Sequence, residues 1–97
     1  MSVGEHEIDA VITGRVQGVN FRRFVKERAD ELGVTGYVCN RVDGSVEVVA
    51  QGEKDVLELL VAHMRKGPYF AEVEDVYVDW YEMPQDAFTD FHIEVST

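Results

Sequence analysis

From Ile8 to Thr13 apolar and polar residues alternate, with Ile8, Ala10 and Ile12 on one side and Asp9 and Thr13 on the other. A period of two predicts a half-buried strand. Beyond a glycine-punctuated stretch the period lengthens. Phe21, Phe24, Val25, Arg28 and Leu32 recur at helical spacing, and Gly33 stands where a C-cap is expected. Thr35 to Val42 reads as a second strand and Ser45 to Gln51 as a third. Asp43-Gly44 between them is a hairpin signal, because glycine supplies the positive φ of a tight turn. In the third strand Val46, Val48 and Ala50 alternate with Ser45, Glu47 and Gln51, while Val49 interrupts the polar face and is expected to lie under something.

A second helix is expected from about Glu53 to Arg65, with Val56, Leu59, Leu60, His63 and Met64 as its apolar stripe and His63 as a packed rim residue. Glu53 and Asp55 at its start and Arg65 and Lys66 at its end suit the helix dipole, and Gly67-Pro68 stops it. Val73 to Tyr81 alternates again. Val76, Val78 and Trp80 share one face, and Asp75, Tyr77, Asp79 and Tyr81 form a solvated one. Met83 to Asp90 reads as a polar connection with Pro84, and Phe91 to Val95 as a short closing strand.

The order is therefore strand, helix, strand, strand, helix, strand, plus a short last strand. With parallel neighbours joined by right-handed helical crossovers, this predicts an α+β, ferredoxin-like βαββαβ sandwich: one antiparallel sheet with two helices on one face. The 97 residues suffice for one core, so a single domain spanning 1–97 is expected. Such a fold hosts RNA binders, metal carriers and regulatory modules, so function must come from a site.

Charge removes some of these options. A formal net charge of −10 argues against nucleic acid, since a groove binder needs a basic face, and the aromatic-basic strand signature of an RNA-recognition domain is missing. Any phosphorylated substrate must be captured locally against an unfavourable global field. The 3 lysines, 6 arginines and 19 carboxylates also suggest a surface suited to a saline host. The polar run Met1 to Glu7 is too short for a signal peptide and no apolar run approaches a membrane span, so a cytoplasmic protein without membrane contact is expected. A single cysteine, Cys39, excludes an internal disulfide and is read as a small buried or half-buried apolar residue. His6, His63 and His92 form no spacing that suggests a metal site.

The stretch Gly14-Arg15-Val16-Gln17-Gly18-Val19-Asn20-Phe21-Arg22 carries the most chemistry. It falls where a strand hands over to a helix, where unpaired N–H groups and the helix dipole favour a negative ligand. Arg22 and Arg23 occupy the first turn, where positive side chains are locally unfavourable unless an anion binds there. A surface loop followed by two solvated arginines remains the plainer alternative. The loop has no Cys, Ser, Thr or Asp between Gly14 and Arg22, so a covalent phosphoenzyme of the cysteine type is excluded. Neither a Walker loop nor a dinucleotide fingerprint is present. What remains is a cradle that could bind a phosphoryl group and let water attack it.

Asn40 comes near the end of the second strand, just before the Asp-Gly hairpin. Its amide is no strong base, but it can accept from and donate to a water and so aim it. A turn asparagine bonding its own backbone is the alternative. Alternation along the strand puts Cys39 on the face opposite Asn40.

With both stretches in view, the chain resembles the acylphosphatases. That family's G-x-V-Q-G-V-x-F-R is met by Gly14, Val16, Gln17, Gly18, Val19, Phe21 and Arg22. Its second hallmark, G-[FYW]-V-x-N-x-x-D-G-x-V-E, is met by Gly36, Tyr37, Val38, Asn40, Asp43, Gly44, Val46 and Glu47. Gly52 and Gly67-Pro68 around the second helix fit the same layout. The resemblance implies hydrolysis of a carboxylic–phosphoric anhydride to carboxylate and inorganic phosphate. It implies that Arg22 binds the phosphate, that backbone amides of Arg15, Val16, Gln17, Gly18 and Val19 wrap it, and that Asn40 orients the attacking water. Such an arrangement requires no metal and no cofactor, since Arg22 and the amides supply the positive potential. A small acyl phosphate is the expected partner, and with no exposed heptad or long apolar edge asking for another chain a monomer is expected. A phosphate-binding or regulatory module without turnover on the same fold is the competing reading. Asn20 departs from the glycine or aromatic common at its position, and the tail past Phe91-His92-Ile93 lacks the aromatic that often closes such chains.

Overall fold

The computed structural model describes residues 5–82 and 86–95. Along these the chain forms β1 (Glu5–Arg15), α1 (Phe21–Leu32), β2 (Thr35–Asn40), β3 (Val46–Glu53), α2 (Lys54–Lys66), β4 (Glu72–Glu82) and β5 (Phe91–Ile93). They build one sheet in the order β4-β1-β3-β2-β5. Ile8, Ala10 and Ile12 pair with Ala50, Val48 and Val46, and across the other edge of β1 with Trp80, Val78 and Val76. The period of two thus puts one apolar row from each strand on a common face. Phe21, Val25 and Ala29 of α1 and Leu57, Leu60, Val61 and Met64 of α2 close over that face in a single cluster. Both helices cover one side, as their apolar stripes require.

Three expectations are corrected by this arrangement. The strands joined by each helical crossover are parallel but not neighbours: β3 lies between β1 and β2, and β1 lies between β3 and β4. The sheet is mixed, because β5 runs parallel to β2 with Gly36, Tyr37 and Val38 opposite Phe91, His92 and Ile93. The chain leaves β4 at the end where Glu82 faces His6 and re-enters at Phe91 beside Gly36, near that same end. From there it can only run in the direction of β2. The α2 stripe is Leu57, Leu60, Val61 and Met64, so it is rotated by about one residue from the expected one. Leu59 and His63 are exposed and Val56 is half-buried. The rotated stripe has the same spacing and excludes the histidine, which the hydrophobic effect favours.

Element ends shift slightly. β2 stops at Asn40, two residues short, because the Arg41 N–H already donates to the Ser45 carbonyl (2.9 Å) and the Gly44 N–H to the Arg41 carbonyl (3.1 Å). β5 stops at Ile93. Trp80 shares the core-side face of β4 yet is 40 % exposed, standing beside Lys54 and Glu58 at the start of α2 instead of under it. The open face of the sheet is partly roofed. Gln51 donates to the Asp86 carbonyl and to Glu7, and accepts from the Phe88 N–H (3.0 Å), while the Phe88 ring meets Tyr37 edge-on at 5.8 Å. Val49, opposite both Asp9 and Tyr37, is buried on that side. Met83, Pro84 and Gln85 of the expected polar connection, and Ser96 and Thr97 of the tail, lie outside the described residues. No helix among the described residues is long and apolar enough to cross a membrane.

Candidate active site

The site is built where β1 ends. A register shift between Thr13 and Gly14 against β4 bends the strand. Gly14 sits at φ 118°, and a Cβ there would run into the Glu72 carbonyl and the Glu74 N–H, so the bend requires glycine. Val16 then inserts its side chain into the core and Phe21 does the same at the start of α1, pinning the intervening turn at both ends. Between these anchors Gly18 (φ 74°) and Asn20 (φ 69°) are left-handed and the residues beside them are not. Alternating hand along successive residues gathers main-chain N–H groups into an anion-binding concavity.

The helix start supports the same reading. Asn20 is the N-cap of α1, but its side chain makes no capping bond and the first turn carries no acidic residue. Asparagine is the non-glycine residue best able to hold the left-handed conformation. Among the described residues, the turn 16–20 is closed by no main-chain bond until the Phe24 N–H reaches the Asn20 carbonyl at 3.1 Å. Its amides are left for a ligand or water.

Arg22 and Asn40 meet at this turn. Together with Arg23, Val16, Gly18 and Asn20 they line a cleft of about 320 Å³, completed by Phe21 and by Ile93 of β5. Among the described residues no carboxylate lines it, so the cleft is locally positive in a chain of net charge −10. Arg23 has an ion-pair contact with Glu27 at 3.6 Å, whereas Arg22 has neither ion pair nor hydrogen bond among the described residues. Asn40 lies on the core-side face of β2, opposite Val46, and its Oδ1 is buried with no hydrogen-bond partner among the described residues. A buried amide oxygen without a partner costs on the order of 1–3 kcal/mol, which a donor entering the cleft would recover.

The cradle residues are used unequally. Val16 and Gly18 line the cleft. Arg15 is exposed at the last position of β1, opposite Glu72, and Val19 packs partly against the core. Gln17 turns its side chain away from the cleft: its Nε2 donates to the Arg41 carbonyl at 2.7 Å and to the Ser45 carbonyl at 2.8 Å. Sequence patterns do not show this use of Gln17 or Ile93 as a wall, whereas Arg23 lines the cleft beside Arg22, as its place in the first turn suggests. The glutamine motif was the available signal, but its far partner depends on how close the hairpin comes. Cys39 is buried on the opposite sheet face from Asn40, with its Sγ 3.8 Å from a Glu47 oxygen. Burial first, then Glu47, pushes its thiol up, which keeps it protonated and unreactive. His92 is bracketed by Asp90 (3.2 Å) and Glu94 (3.0 Å), whose acceptors raise its pKa, on the exposed rim of β5.

A ferredoxin-like sheet with an arginine and an orphaned amide beside a left-handed amide turn defines an α+β domain with a locally positive cleft. The acylphosphatase family profile matches residues 8–93. An acylphosphatase of Salinibacter ruber is 49 % identical over 89 residues, covering 92 % of this chain and 93 % of that one. That of Thermus thermophilus is 48 % identical over 84 residues, covering 87 % and 93 %. The crystal structure of the Bacillus subtilis acylphosphatase superposes with a TM-score of 0.88 at 35 % identity, covering 92 % of this chain and 98 % of that one. The chain belongs to the acylphosphatase family, and its activity is that of an acylphosphatase.

Proposed function

We propose that the chain hydrolyses small acyl phosphates by direct attack of water, with Arg22 and the amides of Arg15, Val16, Gln17, Gly18 and Val19 holding the phosphoryl group and Asn40 aiming the water. One observation carries this reading: Arg22, whose guanidinium is unpaired, and Asn40, whose buried Oδ1 has no partner, are lining residues of the same cleft among the described residues. An anion answers the first and a water proton the second.

The chemistry needs little else. The water oxygen forms a bond to phosphorus while the bond from phosphorus to the acyl oxygen breaks, and the electron pair leaves on the carboxylate. A carboxylate is a good leaving group, so no strong general acid is needed. The water's proton passes to a phosphoryl oxygen, giving inorganic phosphate. Charge spread over the phosphoryl oxygens in the transition state is met by Arg22 and by fixed amide dipoles, which need no reorganisation. This leaves no role for a metal or cofactor. We further propose that it acts as a single domain over 1–97 and as a monomer in the cytoplasm, where an unpaired buried Cys39 is at home.

The test is hydrolysis of benzoyl phosphate, followed by ultraviolet absorbance with EDTA throughout, for wild type, Arg22→Ala and Asn40→Ala. Loss of one well-placed donor typically lowers rate by roughly 10²–10³. Turnover that survives EDTA and drops at least that far in both variants supports the assigned roles. Folded wild type that binds phosphate without turning over benzoyl phosphate would instead indicate a phosphate-binding module.

A further inference from the structure

We infer that the Gln17 side chain sets the position of Asn40 by clamping the hairpin after β2 to the phosphate cradle. It acts as a positioning residue, and the inference rests on the reading of Asn40 as the group that aims water. Asn40 is the last residue of β2, so the sheet ladder ends with it, and no hydrogen bond holds its Oδ1. Its placement therefore depends on the turn 41–45 that follows. That turn converges two carbonyls, Arg41 and Ser45, and Gln17 Nε2 donates to both, at 2.7 and 2.8 Å. One amide nitrogen thus spends both protons across the mouth of the turn, one residue beyond Asn40.

The residue type follows from this geometry. A glutamate at 17 would bring a carboxylate against two carbonyls, and an asparagine would be one methylene short. Gln17 lies between Val16 and Gly18, both of which line the cleft. The clamp thereby ties the element that grips phosphate to the element that carries the amide. A fixed separation between the two is what an in-line attack needs, since displacement by about 1 Å can cost on the order of 10²-fold in rate.

The test compares Gln17→Met and Gln17→Glu, which keep the side chain's bulk without its donors, in wild-type and Asn40→Ala backgrounds. Turnover of benzoyl phosphate is expressed per site, with sites counted by titration with inorganic phosphate, so that unfolded chains do not contribute. We expect kcat to fall about 10–100-fold in both variants, while in Gln17→Met, which adds no charge beside the cradle, the affinity for inorganic phosphate stays within about twofold. In the Asn40→Ala background the same substitutions should lower the residual kcat by less than about twofold, as expected for residues acting as one unit. Unchanged kcat, a parallel loss of phosphate affinity in Gln17→Met, or a full loss persisting without Asn40 overturns the inference and leaves the role of Asn40 intact. Wild-type activity in Asn40→Ala itself overturns both.

Discussion

Asp9 and Glu47 stand as diagonal neighbours on β1 and β3 on the open face of the sheet, and the Asp9 Oδ1 there is buried with no hydrogen-bond partner among the described residues. Burial first, then the charge of Glu47, and after it Asp79 and Glu7, push the Asp9 carboxyl up to about 6 from 3.8. Between those two values the folded chain holds a proton that the unfolded chain has released, so stability falls as pH rises from about 4 through 6. Asp9→Asn should remove that loss. Its Tm is expected to exceed wild type by about 4 °C at pH 8, corresponding to about 1 kcal/mol after solvent screening, and to match it at pH 4. Thermal unfolding at both pH values checks this, and a difference independent of pH would count against it.

The bend at Gly14 brings a second expectation. Gly14→Ala must place a methyl against the main chain of β4 in a conformation that L residues rarely adopt. A loss of about 2 kcal/mol or more in urea unfolding should result. Added phosphate should protect this variant less than wild type, because the bend sets the direction of the cradle. A wild-type unfolding midpoint would mean that β4 yields at little cost.

At Asn20 the left-handed backbone, not the side chain, is the relevant feature. Asn20→Gly should leave stability within about 0.5 kcal/mol and keep phosphate affinity, whereas Asn20→Val should lose about 1–2 kcal/mol and bind phosphate more weakly. Equal behaviour of the two variants in urea unfolding and phosphate titration would show that the hand of this residue is not what shapes the turn.

Salt should matter as well. With 19 carboxylates against 9 lysines and arginines, self-repulsion weakens the folded state at low ionic strength. The Tm is expected to rise steadily with potassium chloride into the molar range. A flat curve ends the idea of a surface suited to saline conditions.

Much of this molecule was legible as sequence because its strands alternate cleanly. Ile8, Ala10 and Ile12, or Val46, Val48 and Ala50, admit one buried face and hence one sheet orientation. The positions of Arg22 and Asn40 followed from strand ends and from two long motifs. Less was legible where two patterns were equally apolar: Val56 and Leu59 compete with Leu57 and Val61 for the same helix face, and only contact with the sheet decides. β5 has three residues, too few to announce a direction, which comes from where the chain re-enters the sheet. The Gln17 clamp and the Asp9–Glu47 pair join residues far apart in sequence. Each needed the register between β1, β3 and the hairpin before it could be seen.

The sheet order leaves β4 with one side unpaired among the described residues, along its full run Glu72–Glu82. A long bare strand edge is a template on which another chain can add. Here it carries Glu72, Glu74, Asp75, Asp79 and Glu82, so two copies approaching edge to edge bring like charges into register. The same acidity that opposes a phosphorylated substrate at long range therefore also guards against fibre growth. That guard is a matter of ionisation, and acid, by neutralising these side chains, turns the rim of the sheet from a repellent into an adhesive.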